Sequence, residues 1–560
     1  MTGWLALSLL LFPLSPARMT KANDLVRVAE KLYAEERWED VLHLLPESPG
    51  GPAALDYYRG MALAKLQRWV EARRAFELGR KKDPSDKRFP LELAGIAYTT
   101  KKYSEAKTNL RRALRLDEDD AYANDFLATI YLLEDNLEAA LKYWNRVGKP
   151  SVEGIKMDPE PRLDPVLLDR AFAFSPASLL QSGELLTTEA QLNNLEIFPR
   201  SQFELVPRQD DKFDVAFRSA QRNGWGNDKK EILFSLLRGA PYQTVNPEYF
   251  NIKGRAVNFV SMLRWDAQKR RVLASLSGPL RRSPKWRYRI SLEARKENWD
   301  ISRTFSGNAP PLGDIRMEKA EARAAVESTV NGRLAWTTGV RLSQRKFQNQ
   351  TLSQSSAASF FMDGFSLVCQ AQADYKLLRL AERRLTADSM TLGQLGRMLN
   401  RTSPLFSLAE ESIETRWLPL SRGDDYETTS RIRLGKALGK VPFDELFALG
   451  AERDSNLWLR AHIGTRDGKK GNAPLGTEYF LSNLELDKRI YGNGFLKLKA
   501  GPFLDTGKIA EPTGNFGSKV WLWDAGVQSK VGVFGGVTVL LSYGVDLRSG
   551  RTAFYTTVTR

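Results

Sequence analysis

The chain has 560 residues, 42% apolar and 27% charged, with a mean hydropathy of −0.39 and a net charge of +16. Such a length allows two to four domains. Beyond the N-terminus no run of 18 apolar residues occurs, which excludes a helical membrane protein, whereas a barrel of alternating strands stays open because its hydropathy signal is weak. One cysteine, Cys369, leaves no intramolecular disulfide. The charge is uneven, +2 over residues 1–150, −4 over 151–222 and +18 over 223–560. In the last part it is dispersed through alternating segments, which suits an interior lining and anionic lipid head groups better than nucleic acid.

Residues 1–17 hold an apolar core, Trp4 to Leu14, followed by Ser15-Pro16-Ala17. Despite an n-region without Lys or Arg, this reads as a signal peptide removed near Arg18, too short to span a bilayer. From Asp24 to Val147 the pattern is helical and repeats every 34 residues. Gly60, Ala94 and Ala128 form one column, Ala72, Ala106 and Ala140 a second, and Phe76, Leu110 and Trp144 a third. This is the tetratricopeptide period, and residues 24–148 are expected to form an α-helical tetratricopeptide solenoid, with a degenerate first unit over Asp24–Pro46. Such arrays offer a concave side to a peptide. By analogy with the repeat, Tyr57, Met61, Leu91, Tyr98, Asp125 and Thr129 line it, each open also to a role in the core or on the plain surface.

Residues 149–222 change character. Strand-like VEGIKM is followed by Asp164-Pro165, the apolar-periodic VLLDRAFAFSPASLL, and EAQLNNLEIF behind Thr187-Thr188. The Thr pair reads as a helix start, with a hydroxyl ready to accept first-turn amides. SQFELVP and KFDVAFRSA, split by RQDD, close the segment as a hairpin. Strand, helix, helix, strand, strand makes a small α+β domain. It resembles a polypeptide-transport-associated domain, a resemblance carried by LNNLEIF, FELVP and FDVAF.

From residue 230 to 560 strand signals recur at short spacing, thirteen clear ones between AVNFVSMLRW (256–265) and TAFYTTV (552–558). Further strands are expected at Ile232–Val245, at Arg384–Gln394 and within 441–463. About 330 residues of strand without a second core element point to a closed antiparallel transmembrane β-barrel, which removes sheet edges and places lipid outside a wet lumen. Even counts are the rule for bacterial barrels, so the expectation is 14–16 strands, with 16 favoured. The chain ends Thr557-Val558-Thr559-Arg560, without the terminal aromatic usual in such barrels.

Within this region, Val441–Lys508 carries Leu459-Arg460-Ala461-His462 on a Gly- and charge-rich loop, then Asn483-Leu484-Glu485-Leu486, then Phe503-Leu504-Asp505-Thr506-Gly507. In that order the segment resembles the barrel core of the BamA/TamA-type bacterial surface antigen superfamily. The resemblance implies that an extracellular loop folds into the lumen and docks Arg460 on Glu485 and Asp505, with Phe503 and Gly507 completing the last motif. Ala461 stands where the family has glycine, and His462 where it has an aromatic residue. A buried guanidinium needs planar, bidentate acceptors, which these carboxylates supply.

No catalytic constellation occurs: two histidines, His43 and His462, and no HExxH, GxSxG, Walker loop or CxxC. No enzyme, metal site or cofactor is therefore expected, and no nucleic acid. The resemblance implies an outer-membrane assembly or translocation factor, with its repeats and α+β domain in the periplasm. Its expected partners are unfolded or partner polypeptides, outer-membrane lipid and lipopolysaccharide, and other envelope assembly proteins. The alternative is a scaffolding or passive-pore barrel whose repeats tether envelope partners.

Overall fold

The computed structural model describes all residues except 1–15, 46–50, 210–211, 227–231, 234–235, 303–310, 353–358, 401, 403, 421–424, 494–495, 511–516, 519, 534–536 and 560. The chain divides into two compact units, Met1–Lys149 and Pro150–Arg560. Most of the expected signal peptide lies outside the described residues, and its last two residues, Pro16 and Ala17, already belong to the first helix.

The described residues of the first unit form eight α-helices: α1 (Pro16–Ala34), α2 (Trp38–Leu44), α3 (Ala53–Lys65), α4 (Trp69–Lys82), α5 (Arg88–Thr99), α6 (Tyr103–Leu116), α7 (Ala121–Leu133) and α8 (Leu137–Trp144). Residues of the three 34-residue columns are buried throughout. Their small members are small for a steric reason. A Cβ on Gly60 would stand 2.6 Å from the Phe76 ring, so helices α3 and α4 touch there without room for a side chain. The turns inside the helical pairs form a further column, since Gln67, Lys101 and Asp135 all take positive φ between 55° and 59°. Each is a non-glycine residue held in the left-handed region, a cost of order 1–2 kcal/mol that the surrounding packing must offset. Asp120 and Asn136 cap α7 and α8 by accepting the amides of Ala123 and Ala139.

The second unit begins with a three-stranded sheet, β1 (Ser151–Asp158), β2 (Arg200–Pro207) and β3 (Lys212–Ala220), in the order β1-β3-β2. Helices α9 (Pro165–Ala171) and α10 (Ser182–Asn194) connect β1 to β2, and Phe172, Phe174, Phe198, Phe203 and Phe217 form the aromatic core. Helix α10 starts five residues before the expected Thr pair. Gln181 and Glu184 cap it, while Thr188 is buried mid-helix, donating to the Glu184 carbonyl and accepting from the Ala173 amide.

The large antiparallel sheet follows. Its strands are β4 (Thr244–Val245), β5 (Glu248–Ile252), β6 (Val257–Trp265), β7 (Lys269–Leu280), β8 (Ser283–Ser302), β9 (Pro311–Thr329), β10 (Leu334–Leu352), β11 (Gly364–Leu380), β12 (Leu385–Met398), β13 (Leu405–Trp417) and β14 (Tyr426–Gly439). Four short strands lie in the long connection after β14: β15 (Phe447–Ala448), β16 (Thr465–Arg466), β17 (Lys469–Lys470) and β18 (Leu475–Gly476). Then come β19 (Glu478–Gly492), β20 (Leu496–Ala510), β21 (Leu522–Val533), β22 (Val537–Asp546) and β23 (Thr552–Thr559). The order is cyclic, with β23 beside β4. β4 and β5 pair with β6 in one register as far as Tyr249, interrupted at Asn246-Pro247 and shifted by an irregularity between Tyr249 and Ile252, so they act as a single first strand. The strand expected within 441–463 is the two-residue β15, which pairs with β18 outside the large sheet. Of 232–245, the described residues include the turn Ala240–Tyr242 and β4.

This sheet reverses the usual polarity of a folded protein. Along β10 the apolar Val340 and Leu342 are exposed, while Arg341, Ser343 and Arg345 are buried. Along β14 and β21 the same holds for Ile432 and Leu434 against Arg433, and for Trp523 and Val527 against Asp524 and Gln528. Such a contiguous apolar exterior is stable only where something other than water covers it. No helix among the described residues is long and apolar enough to cross a membrane, a test that does not bear on strands.

The α+β segment docks on turns at one end of the large sheet. Asp164 accepts the Arg282 guanidinium at 3.0 Å, and the Asp164 amide donates to the Gly254 carbonyl. Thr187 accepts from the Gly332 amide. The buried Arg287 donates to the Asn194 carbonyl, to Ser277 and to Glu196. Burial alone would raise the Glu196 carboxyl, but Arg287 and Arg289 outweigh it and hold the group below the ordinary carboxylate value. With the folded value depressed, the attraction is complete above the unfolded carboxylate range and is lost as pH falls through the lowered value. Hydrogen exchange over 182–198 is therefore expected to rise as pH drops below 4.5, and in Arg287→Ala it should be raised at neutral pH as well. Unchanged protection in Arg287→Ala would show that the docking does not depend on this pair.

Candidate functional site

The connection from Lys440 to Thr477, between β14 and β19, contacts inward-facing residues on opposite parts of the sheet, so it runs through the interior. Its first half is acidic and meets a basic wall. Asp444 and Glu445 pair with Lys319 of β9 and Arg345 of β10, and Glu445 also takes Arg341 at 2.8 Å. Asp454 pairs with Arg264 of β6 and Arg271 of β7, and Glu452 with Lys269. The second half is largely basic and meets acids. Arg460 and His462 face β19–β22, and Lys470 pairs with Glu297 of β8 at 2.7 Å.

Apolar packing supports the same path. Phe447, Leu449, Leu457 and Leu459 of the loop join Phe406, Tyr479, Leu481 and Ile509 in one cluster. Phe443 and Leu475 join Ile315, Met317, Phe347 and Phe361 in another. β15 pairs with β18 and β16 with β17, and Ala451 and Gly464 add further backbone bonds across the loop.

At the loop tip the structure brings Arg460, Glu485 and Asp505 together. Arg460 is 2% exposed and Asp505 0%. The guanidinium Nε donates to Asp505 Oδ2 at 2.8 Å and Nη2 to Oδ1 at 2.5 Å, a bidentate pair, while Nη1 donates to Glu485 Oε1 at 2.8 Å and Gln528 Oε1 at 2.6 Å. The Arg460 amide adds a bond to Asp505 at 3.1 Å. Strand period puts Phe503, Asp505 and Gly507 on one face, and each has a distinct part. The Phe503 ring lies 3.8 Å beneath the guanidinium carbon. A Cβ on Gly507 would stand 3.2 Å from Leu449 Cδ1, so the bare position makes room for the loop. Ala461 takes no positive φ, so glycine is not needed there, and its amide donates to Asp524 at 2.7 Å. His462 Nδ1 lies 3.0 Å from Asp524.

Gln528, Asp524 and Gly544 belong to the same site but were not found by motif reading, and Asn483, which stands in the second motif, was given no role there. Asn483 holds Asp505 Oδ1 at 2.8 Å and the Trp458 carbonyl at 2.9 Å. A Cβ on Gly544 would stand 3.2 Å from the Ala461 nitrogen, so the tip lies against bare backbone. The signal that could have found the side chains is the inward period of β19 and β21 once their register with β20 is known.

The six candidates in the helical unit are all half-buried. Three of them also hold the helices together, the core role left open for each. Tyr57 packs its edge on Phe89 and Met61 packs on the same core, while Asp125 accepts from Trp144 Nε1 at 2.8 Å. Thr129 bonds the Asp125 carbonyl within α7, and Tyr98 contacts Phe126 and Tyr103. Leu91 is half-buried on α5.

No family model and no curated protein matches the chain. Similar solved structures include BamA from Haemophilus ducreyi lacking POTRA domains 1-3, 13% identical with a TM-score of 0.42 over 73% of this chain and 84% of that one. They also include CdiB from Escherichia coli (13%, 0.45, 74% and 77%) and CdiB from Acinetobacter baumannii (10%, 0.44, 75% and 81%).

Breaking one side of a buried pair strands the other charge, at about 3–5 kcal/mol. Arg460→Ala and Asp505→Ala should each destabilise the folded sheet to that degree in denaturant or thermal unfolding. The double variant should fall well short of the sum, because the second substitution removes a charge already stranded. Additive losses would show that the two residues act separately.

Proposed function

We propose that the chain is an outer-membrane protein assembly or translocation factor. In this reading the large sheet closes as a transmembrane barrel, the helical repeats form a tetratricopeptide array, and the array and the transport-associated α+β domain take up unfolded polypeptide in the periplasm. The observation that carries the reading is the inward loop, held by ion pairs on both walls and tipped by Arg460 on Asp505. A structural anchor has no need of such a device at its centre. The apolar exterior supports a lipid surrounding, since in hydrocarbon only closed sheets and helices satisfy their backbone.

The working part in this reading is the junction of first and last strands. β23 is eight residues long and the first strand is interrupted at Asn246-Pro247. The loop reaches both sides of this junction. Trp458 packs on Tyr555 of β23 with ring centroids 5.8 Å apart, and Arg453 lies over the Tyr242 ring, whose hydroxyl donates to the Thr556 carbonyl at 3.0 Å. A client strand would add its backbone to this edge, and the work would come from that pairing and from burial in lipid, without nucleotide. A passive pore would require the loop to leave the interior and break the pairs on both walls, which favours the first reading.

Linking the junction tests it. With Cys369 replaced by Ser, a bifunctional thiol reagent joining cysteines placed at Tyr242 and Thr556 should lower the amounts of surface-exposed polypeptides measured by proteomics of intact cells, with the barrel itself still present. Unchanged amounts would favour the scaffold or passive pore. In the helical unit, Leu91→Ala with Tyr98→Ala should reduce capture of unfolded polypeptide while circular dichroism keeps its helical signal, and unchanged capture would make the array a spacer.

A further inference from the structure

Strand register places Asp505 of β20 directly opposite Asp524 of β21, and Asp524 directly opposite Asp546 of β22. Three carboxylates thus stand in a row across neighbouring strands, all buried. Like charges directly opposite each other are destabilising, and in a low-dielectric interior each needs a compensating cation. Arg460 supplies one, but its fork is spent on Asp505 and Glu485. The nearby Lys530 is taken by Glu485 and Asp487. Among the described residues neither Asp524 nor Asp546 has a Lys or Arg partner.

Asp524 accepts the Ala461 amide, and Asp546 accepts the Arg548 amide and the Ser549 hydroxyl, all neutral donors, and the side chain that faces both carboxylates is His462. Its Nδ1 lies 3.0 Å from each oxygen of Asp524, and its Nε2 is 3.9 Å from Asp546 Oδ2. Asp524 is 0% exposed, and its Oδ1 accepts no hydrogen bond among the described residues. One donor atom from each of the three residues can be chosen so that all lie within 4.8 Å of one another. A tetrahedral ion with bonds of about 2.0–2.2 Å sets its ligand atoms roughly 3.3–3.6 Å apart, a spacing within that limit. Imidazole with carboxylates suits Zn²⁺ or Mn²⁺, whereas Ca²⁺ and Mg²⁺ prefer oxygen alone.

We propose that His462, Asp524 and Asp546 form a binding site for a divalent transition-metal cation, Zn²⁺ or Mn²⁺, at the tip of the inward loop. The ion balances the two carboxylates that Arg460 does not reach and ties the loop to β21 and β22, beside the hold of Arg460 on β20. The site rests on this geometry alone and stands whichever polypeptide the protein handles.

The full chain, purified in detergent and stripped with a chelator, is titrated with ZnCl₂ and with MnCl₂ by calorimetry. One saturable ion per chain is expected, with a rise in the temperature at which the compact, heat-modifiable form is lost. His462→Gln and Asp546→Asn should each weaken binding more than about tenfold, while His43→Gln in the helical unit leaves it unchanged. Mn²⁺ bound to the unsubstituted protein should show nitrogen coupling from one imidazole in pulsed electron paramagnetic resonance, a readout that does not depend on any variant folding. Absence of saturable binding, equal binding in folded His462→Gln, or bound Mn²⁺ without nitrogen coupling would overturn the site and leave His462 and Asp524 as a simple hydrogen-bonded pair.

Discussion

The interior of this sheet is organised by charge complementarity between one loop and two unlike walls. Lys269, Lys319, Arg341 and Arg345 make β7, β9 and β10 basic, and Glu485, Asp505, Asp524 and Asp546 make β19–β22 acidic. The loop carries Asp444, Glu445, Glu452 and Asp454 before Arg460 and His462, so acids precede the tip and the cationic anchor forms it. Threaded in the opposite sense, it would bring like charges together, at a cost of several kcal/mol in a poorly hydrated space. The pattern thus sets the direction of the loop, and bidentate geometry at Arg460 sets its final position to within a hydrogen bond.

The exterior follows from the same arrangement. Because the strands alternate, charges gathered on the inner face leave Val, Leu, Ile and Trp for the outer one. Two hydrophobic clusters, around Phe406 and around Phe443, nonetheless lie inside, where the loop folds back. They give the loop an apolar contribution in addition to its ion pairs, and that matters because buried ion pairs roughly break even against their desolvation.

Much of this was legible in the residues. The 34-residue columns depend on local contacts such as Gly60 with Phe76, and local contacts leave a period that can be counted. The three latch motifs were readable because each lies within five residues. What could not be read was anything requiring the register between strands. The row Asp505, Asp524 and Asp546 spans 42 residues of sequence yet is contiguous across the sheet, and nothing in the spacing of the three announces it. His462 was read as a replaced aromatic, when its significance lies in carboxylates from two other strands. The Thr187-Thr188 pair misled for a different reason, since a hydroxyl that can cap a helix can equally bond the preceding turn from within it. Between 232 and 245 a strand was expected, and the described residues there include the short β4, with Asn246-Pro247 interrupting the ladder next to it.

A property of counting follows from the strand order. Every step from β5 through β14 and β19 to β23 is antiparallel, and the number of reversals is even. Among the described residues the last strand therefore points the same way as the first. Gly224 is bridged antiparallel to Phe250 of β5. Parity then dictates what this junction can accept: any segment, from this chain or another, that pairs antiparallel with both flanking strands must arrive in an odd number of strands. A single visiting strand satisfies both edges at once, whereas a hairpin leaves one side in the slightly weaker parallel pairing.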